Sequence, residues 1–142
     1  MSSAELLSAD AVQQIIHQGL PAAAESGLVV EQITPGGARL RQRFEARQTR
    51  PGGTLSGPTM MALADAAMYA AILGNLGRIE MAVTQSLNIN FLARPQPRDL
   101  IAECDILRMG RRSVVLQVMI YSDGDSQPVA QATGNYALPM SS

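Results

Sequence analysis

From Val114 to Ile120 every second residue is apolar (Val114, Leu116, Val118, Ile120), while Ser113, Gln117 and Tyr121 fall on the opposite face. A period of two predicts a half-buried strand in an antiparallel sheet. Similar runs at 82–92, 99–109 and 127–138 are set apart by RPQPRD, GRR and SDGDSQP, segments of turn-forming chemistry. Upstream, LVVEQIT at 28–34 reads as a strand. Pro35-Gly36-Gly37 then turns the chain into ARLRQRFEA, where Ala38, Leu40 and Phe44 alternate with Arg39, Arg41 and Arg43, giving one core face and one basic face. Short connections predict that consecutive strands pair antiparallel.

In two places the period lengthens to that of a helix. Residues 8–18, SADAVQQIIHQ, offer Ser8 as an N-cap and space Val12, Ile15 and Ile16 for a short amphipathic helix, which Pro21 and Gly27 then break. The second place is LSGPTMMALADAAMYAAIL, residues 55–73. Ser56 or Gly57 followed by Pro58 matches a helix start, and the helix runs to about Gly74 or Gly77. It is apolar all round except for Asp65, so a sheet must curve around it or a second subunit must cover it. A strand pair, one long apolar helix and four further strands predict an α+β fold with the sheet wrapped on the helix.

At 142 residues the chain fits a single domain, 1–142. A net charge of -1 and a pI near 5.7 give no broad attraction for nucleic acid. The basic residues are all Arg, which suits bidentate contacts to phosphate or carboxylate and is equally the mark of codon bias. Cys104 is the lone cysteine, so no intrachain disulfide forms, a Cys/His metal site lacks ligands, and a reducing compartment is expected. The first residues carry acids and no basic, apolar leader, so a cytoplasmic location is expected rather than secretion. The apolar stretch Met60 to Leu73 falls short of the ~20 residues of a membrane span.

Asp65 carries the candidate chemistry. Its helical neighbours Pro58, Met61, Ala62, Met68, Tyr69 and Ile72 include no base. An unpaired buried carboxylate costs several kcal/mol, so Asp65 must neutralise, find a partner on another segment, or open onto a cleft. Two readings stay open: a general base or nucleophile, or a structural ion pair to a sheet arginine such as Arg94 or Arg108. The helix start offers a second group, because Gly57 has a free backbone N–H at the positive end of the helix dipole. It lies about 12 Å from Asp65 at ~1.5 Å per residue, a distance that suits two subunits better than one.

In AVTQSLNINFLARP, Thr84, Ser86, Asn88 and Asn90 share one face and either line a site or meet solvent. Arg108, Arg111 and Arg112 surround a hairpin that either grips a phosphate or is an exposed turn. His17 reads as a surface residue, and Ser56 lies in no G-x-S-x-G elbow.

Together RPGGTLSGPTMMALADAAMYAAIL, TQSLNINFLARP and VAQATGNYAL resemble the hotdog-fold acyl-CoA thioesterases of the phenylacetate-pathway and 4-hydroxybenzoyl-CoA-like group, over about residues 28–138. The resemblance implies a hotdog fold, no metal or cofactor, and a homodimer or dimer of dimers whose sites lie at the dimer interface. It places the catalytic carboxylate on Asp65 and the oxyanion-binding amide on Gly57, with acyl-CoA as substrate. Thr84 matches a position that orients water in some members. The chain departs from the group by reading Ser56-Gly57-Pro58 where many members have His-Gly-Gly, and Arg50 where some have Asn or Gln. Arg50 is then a contact for CoA phosphates or a partner for Asp65.

The expected reaction is hydrolysis of an acyl-CoA to a carboxylic acid and CoA. A non-catalytic acyl-CoA-binding hotdog domain is the alternative, and a dehydratase is disfavoured because His17 lies in the wrong region. The eight Met residues and five aromatic ones predict a deformable acyl pocket.

Overall fold

The computed structural model describes residues 5–45, 57–77, 79 and 81–139; Arg50 and Ser56 lie outside them. Its elements are α1 (Ala9–Gly19), α2 (Pro21–Ser26), β1 (Leu28–Thr34), β2 (Gly37–Gln42), α3 (Gly57–Leu76), β3 (Val83–Phe91), β4 (Leu100–Met109), β5 (Ser113–Ser122) and β6 (Pro128–Ala137). The six strands make one antiparallel sheet in the order β1-β2-β4-β5-β6-β3, and α3 packs in its concave face. This is the hotdog architecture.

Local chemistry explains most of the elements. The Ser8 hydroxyl caps α1 by accepting from Ala11 N–H at 3.1 Å, and Val12, Ile15 and Ile16 are buried as their spacing predicts. On β5, Val114, Leu116, Val118 and Ile120 are all fully buried against α3. From Met60 to Gly74 every residue of α3 is buried except Met61, Ala62, Asp65, Ala66 and Tyr69, which form one stripe along the helix. At 20 residues α3 is longer than its apolar stretch suggested, and long and apolar enough to cross a membrane by composition. The sheet around it accounts for that apolarity instead.

Several expectations need correction. The segment LPAAAES does not simply break α1, because Pro21 opens a second helix, α2, closed by Gly27 in the left-handed region at φ 86°. β3 is not beside β4 but crosses to the far edge and pairs with β6, so its polar row is not on a central strand. His17 is not a free surface residue, since its Nε2–H donates to Leu28 O at 2.9 Å and ties α1 to β1.

The basic face of β2 is neutralised. Arg39 pairs with Glu31 at 3.0 Å and Glu103 at 2.9 Å, and Arg41 pairs with Glu31 at 2.6 Å, Asp123 at 2.8 Å and Asp99 at 3.0 Å. Burial works against the charged form of Glu31, but hydrogen bonds from Arg41 and Arg39 outweigh it and hold the carboxyl below its ordinary value. That contribution is present above the unfolded-state value and is lost as pH falls through the folded one.

Gly37 marks a close approach of β2 to its neighbours. A Cβ there would sit 2.5 Å from the Cys104 carbonyl oxygen and 2.9 Å from Thr34 Oγ1. Asn75 clips the same turn to α3, accepting from Gly36 N–H at 2.7 Å and donating to Gly37 O at 3.2 Å. Gly37→Val is therefore expected to cost about 2–3 kcal/mol of folding free energy, the scale of overpacking where backbone must shift. Urea unfolding measures it, and a midpoint unchanged from wild type would contradict this account of the turn.

Candidate active site

Asp65 lies on the stripe of α3 that the sheet leaves uncovered. Its Oδ1 accepts two hydrogen bonds, from the Thr84 hydroxyl at 2.7 Å and from the Tyr136 hydroxyl at 2.5 Å. The Tyr136 hydroxyl also lies 3.1 Å from the Asp65 carbonyl oxygen. Among the described residues Oδ2 accepts no hydrogen bond, and neither Arg94, Arg108 nor any other cation pairs with the carboxylate. Among the described residues the carboxylate thus has one oxygen held and one oxygen open.

Burial, followed by the Asp65 charge and their shared hydrogen bond, pushes the Tyr136 phenol well above its ordinary value, so it remains a protonated donor. The Tyr136 ring stacks on Tyr69, one turn beyond Asp65, with centroids 6.4 Å apart and planes 16° from parallel.

A β-bulge delivers Thr84 to this cluster. Thr84 pairs with Tyr136, and Ser86 with the adjacent Asn135, so Gln85 is an extra residue in the ladder. Thr84 therefore faces α3 with Leu87, Ile89 and Phe91, whose partners Gly134, Ala132 and Ala130 are buried. Ser86, Asn88 and Asn90 take the other face, where Asn90 donates to Gln131 at 3.0 Å. The expectation that all four polar residues share a face is overturned by that single insertion.

Asp65, Thr84 and Tyr136 line one end of a cavity of about 960 Å³ that extends beneath α1 and α2. Ile15, Leu20, Ala23, Leu28 and Ala66 help to line the rest. Among the described residues no methionine lines it; Met60 and Met68 pack in the core.

The structure distributes the other predicted residues as follows. Gly57 is the first residue of α3, and a Cβ on it would meet the Phe91 ring at 3.3 Å. It remains about 12 Å along the helix from Asp65, so one chain does not bring the two together. Arg108, Arg111 and Arg112 are exposed around the β4–β5 turn. Leu138 N–H donates to Arg112 O at 2.8 Å, and Val114 pairs with Tyr136, so this turn lies at the same end of the sheet as the Asp65 cluster. Cys104 is excluded as a nucleophile, because burial and the neighbouring Asp105 push its thiol up to about 12.

Tyr136 is the residue that the sequence reading missed. The available signal was a tyrosine among the core-facing positions of the last strand, whose hydroxyl needs a partner once buried.

The Thioesterase superfamily profile matches residues 52–129, more than half of the chain and all of α3 and β3. The chain belongs to the thioesterase superfamily. It is 31% identical over 112 residues, 79% of this chain and 73% of the relative, to a protein of Saccharolobus solfataricus named as an esterase. A crystal structure of a protein named as a thioesterase, from a Silicibacter species, superimposes with a TM-score of 0.87 at 32% identity, covering 98% of this chain and 97% of that one. A mutant of the phenylacetic acid degradation protein PaaI from Thermus thermophilus gives a TM-score of 0.73 at 26% identity, over 82% of this chain and 97% of that one. Membership in this superfamily supports thioester hydrolysis as the general chemistry of the chain.

Proposed function

We propose that the protein hydrolyses acyl-CoA thioesters, with Asp65 as the reacting carboxylate and the Gly57 amide of a second copy as the oxyanion donor. The observation that carries this reading is the asymmetric environment of Asp65, with two hydroxyl donors on Oδ1 and, among the described residues, no partner on Oδ2, beside a cavity. A purely structural carboxylate would be expected to use both oxygens or to pair with a cation. As a base, Oδ2 takes a proton from water while the water oxygen attacks the thioester carbonyl; the C–S bond then breaks and the departing thiolate is protonated. As a nucleophile, Oδ2 attacks the carbonyl itself, the C–S bond breaks to release the thiolate, which is protonated, and water hydrolyses the resulting anhydride. Both routes need the same free oxygen, and both develop negative charge on the carbonyl oxygen.

The edge strand supports a two-chain site. Among the described residues β3 pairs only with β6, and Met81, Val83, Phe91 and Leu92 at its two ends are exposed. Such an edge invites pairing with another strand. Asp65 touches the start of β3 through Thr84, and Gly57 lies against its end at Phe91. A two-fold axis through the middle of β3, near Asn88, exchanges those ends and sets Gly57 of each copy opposite Asp65 of the other. Arg108, Arg111 and Arg112, at the Asp65 end of the sheet, are in place to meet the phosphates of CoA.

Incubation with an acyl-CoA panel and detection of free thiol tests the reading; absence of thiol release from every member would refute it. Tyr136→Phe removes one of the two donors on Oδ1 while leaving the ring stack. It is expected to lower kcat about 10-fold with little change in KM, the scale of one hydrogen bond to a charged group. Steady-state kinetics decides, and an unchanged kcat would mean that this bond does not orient the carboxylate.

A further inference from the structure

We propose that the cavity beneath α1 and α2 is the acyl subsite and that it selects long aliphatic acyl groups; this rests on the acyl-CoA reading above. The cavity, about 960 Å³ in volume, begins at Asp65 and continues between α3 and the two N-terminal helices within one protomer. A substrate whose thioester carbonyl lies at Asp65 therefore has this space directly ahead of its acyl group.

The chemistry of the walls favours an uncharged, apolar ligand. Among the described residues that line it, Asp65 supplies the one carboxylate and none supplies a cation to receive a phosphate or carboxylate. Two of the polar residues at the far end, Gln42 and Ser26, are already engaged. The Gln42 amide donates to Ser26 O at 2.5 Å, and the Ser26 hydroxyl donates to Ala23 O at 3.0 Å. Apart from Gln18 on α1, what faces the space there is aliphatic, with Leu20 between α1 and α2, Leu28 at the start of β1, and Ala62 and Ala66 on α3. The small side chains of α2 and α3 leave the room; a short acyl group would leave most of it as water against apolar walls.

Ala22, Ala62 and Ala66 are the specificity-determining positions on this view. Ala22 and Ala62 are exposed and line the cavity, so a larger side chain at either intrudes on the space without entering the packed core.

Two measurements test the proposal. In the first, kcat/KM is followed across saturated acyl-CoAs of increasing length for wild type, Ala22→Trp and Ala62→Trp. Wild type is expected to gain about two- to fourfold per added methylene until the cavity fills, as burial of apolar surface dictates. Each Trp variant is expected to lose at least ~10-fold more on long chains than on short ones. In the second, decan-1-ol is titrated calorimetrically into Asp65→Asn, with and without Ala22→Trp; binding is expected in the first protein and at least ~10-fold weaker in the second.

Decanol binding that Ala22→Trp weakens, without hydrolysis of any acyl-CoA, would sink the proposed function and leave the subsite standing. Hydrolysis with a rate indifferent to chain length and to both Trp substitutions, or a preference for aryl over long alkyl groups, would overturn the subsite and leave the function standing. Absence of decanol binding to Asp65→Asn would likewise overturn it.

Discussion

Asp65→Asn is expected to leave the fold and the oligomer intact and to lower kcat at least ~100-fold, the scale of losing a catalytic acid–base group. The substitution is nearly isosteric. An asparagine Oδ1 still accepts from the Thr84 and Tyr136 hydroxyls, which hold the native carboxylate at 2.7 and 2.5 Å, so the local network has no reason to collapse. What changes is the second position, where an NH2 group replaces the open oxygen. That group donates and does not accept, so it neither takes a proton from water nor attacks a carbonyl. Steady-state turnover with thiol detection, alongside circular dichroism and size-exclusion chromatography, separates this outcome from unfolding. Activity within a few-fold of wild type would remove Asp65 from the chemistry.

Gly57→Pro is expected to lower kcat by about 100- to 1,000-fold, the loss seen when one oxyanion donor is removed. Gly57 opens α3, where the first N–H groups have no acceptor within the helix and proline is tolerated. The substitution deletes the donor and little else. Its Cβ presses on the Phe91 ring, which a built Cβ meets at 3.3 Å, but that ring is 51% exposed and free to yield. Gly57→Ala makes the same contact and keeps the N–H, so it is expected to stay within about 10-fold of wild type. Equal losses in the two variants would assign the effect to packing against Phe91 rather than to the amide.

How far the sequence reached follows the range of the interactions concerned. The alternation on β5, the Ser8 cap and the apolar helix are set by residues a few positions apart, and each appears in the structure near its expected place. The position of β3 depends on a partner, β6, some 40 residues further along the chain, and no local period encodes that. The bulge at Gln85 is a single extra residue, yet it turns Thr84 from the outer face onto α3 and so creates half of the grip on Asp65. Tyr136 supplies the other half from 71 residues away, which is why a search at helical spacing around Asp65 finds no partner for it. The short helix α2 was hidden because Pro21 serves both as a breaker of α1 and as the first residue of the next helix.

Cooperation between two copies of the chain is the central claim, and subunit complementation addresses it most directly. Asp65→Asn and Gly57→Pro proteins, each verified as folded and oligomeric, are unfolded together, refolded as a mixture and assayed. If the site joins Asp65 of one protomer to Gly57 of its partner, a mixed dimer holds one site with both groups intact. Random pairing then restores about one quarter of wild-type turnover, far above either parent. Activity no greater than the sum of the two parents would mean that both groups act within a single chain or not at all, and the shared site would be wrong.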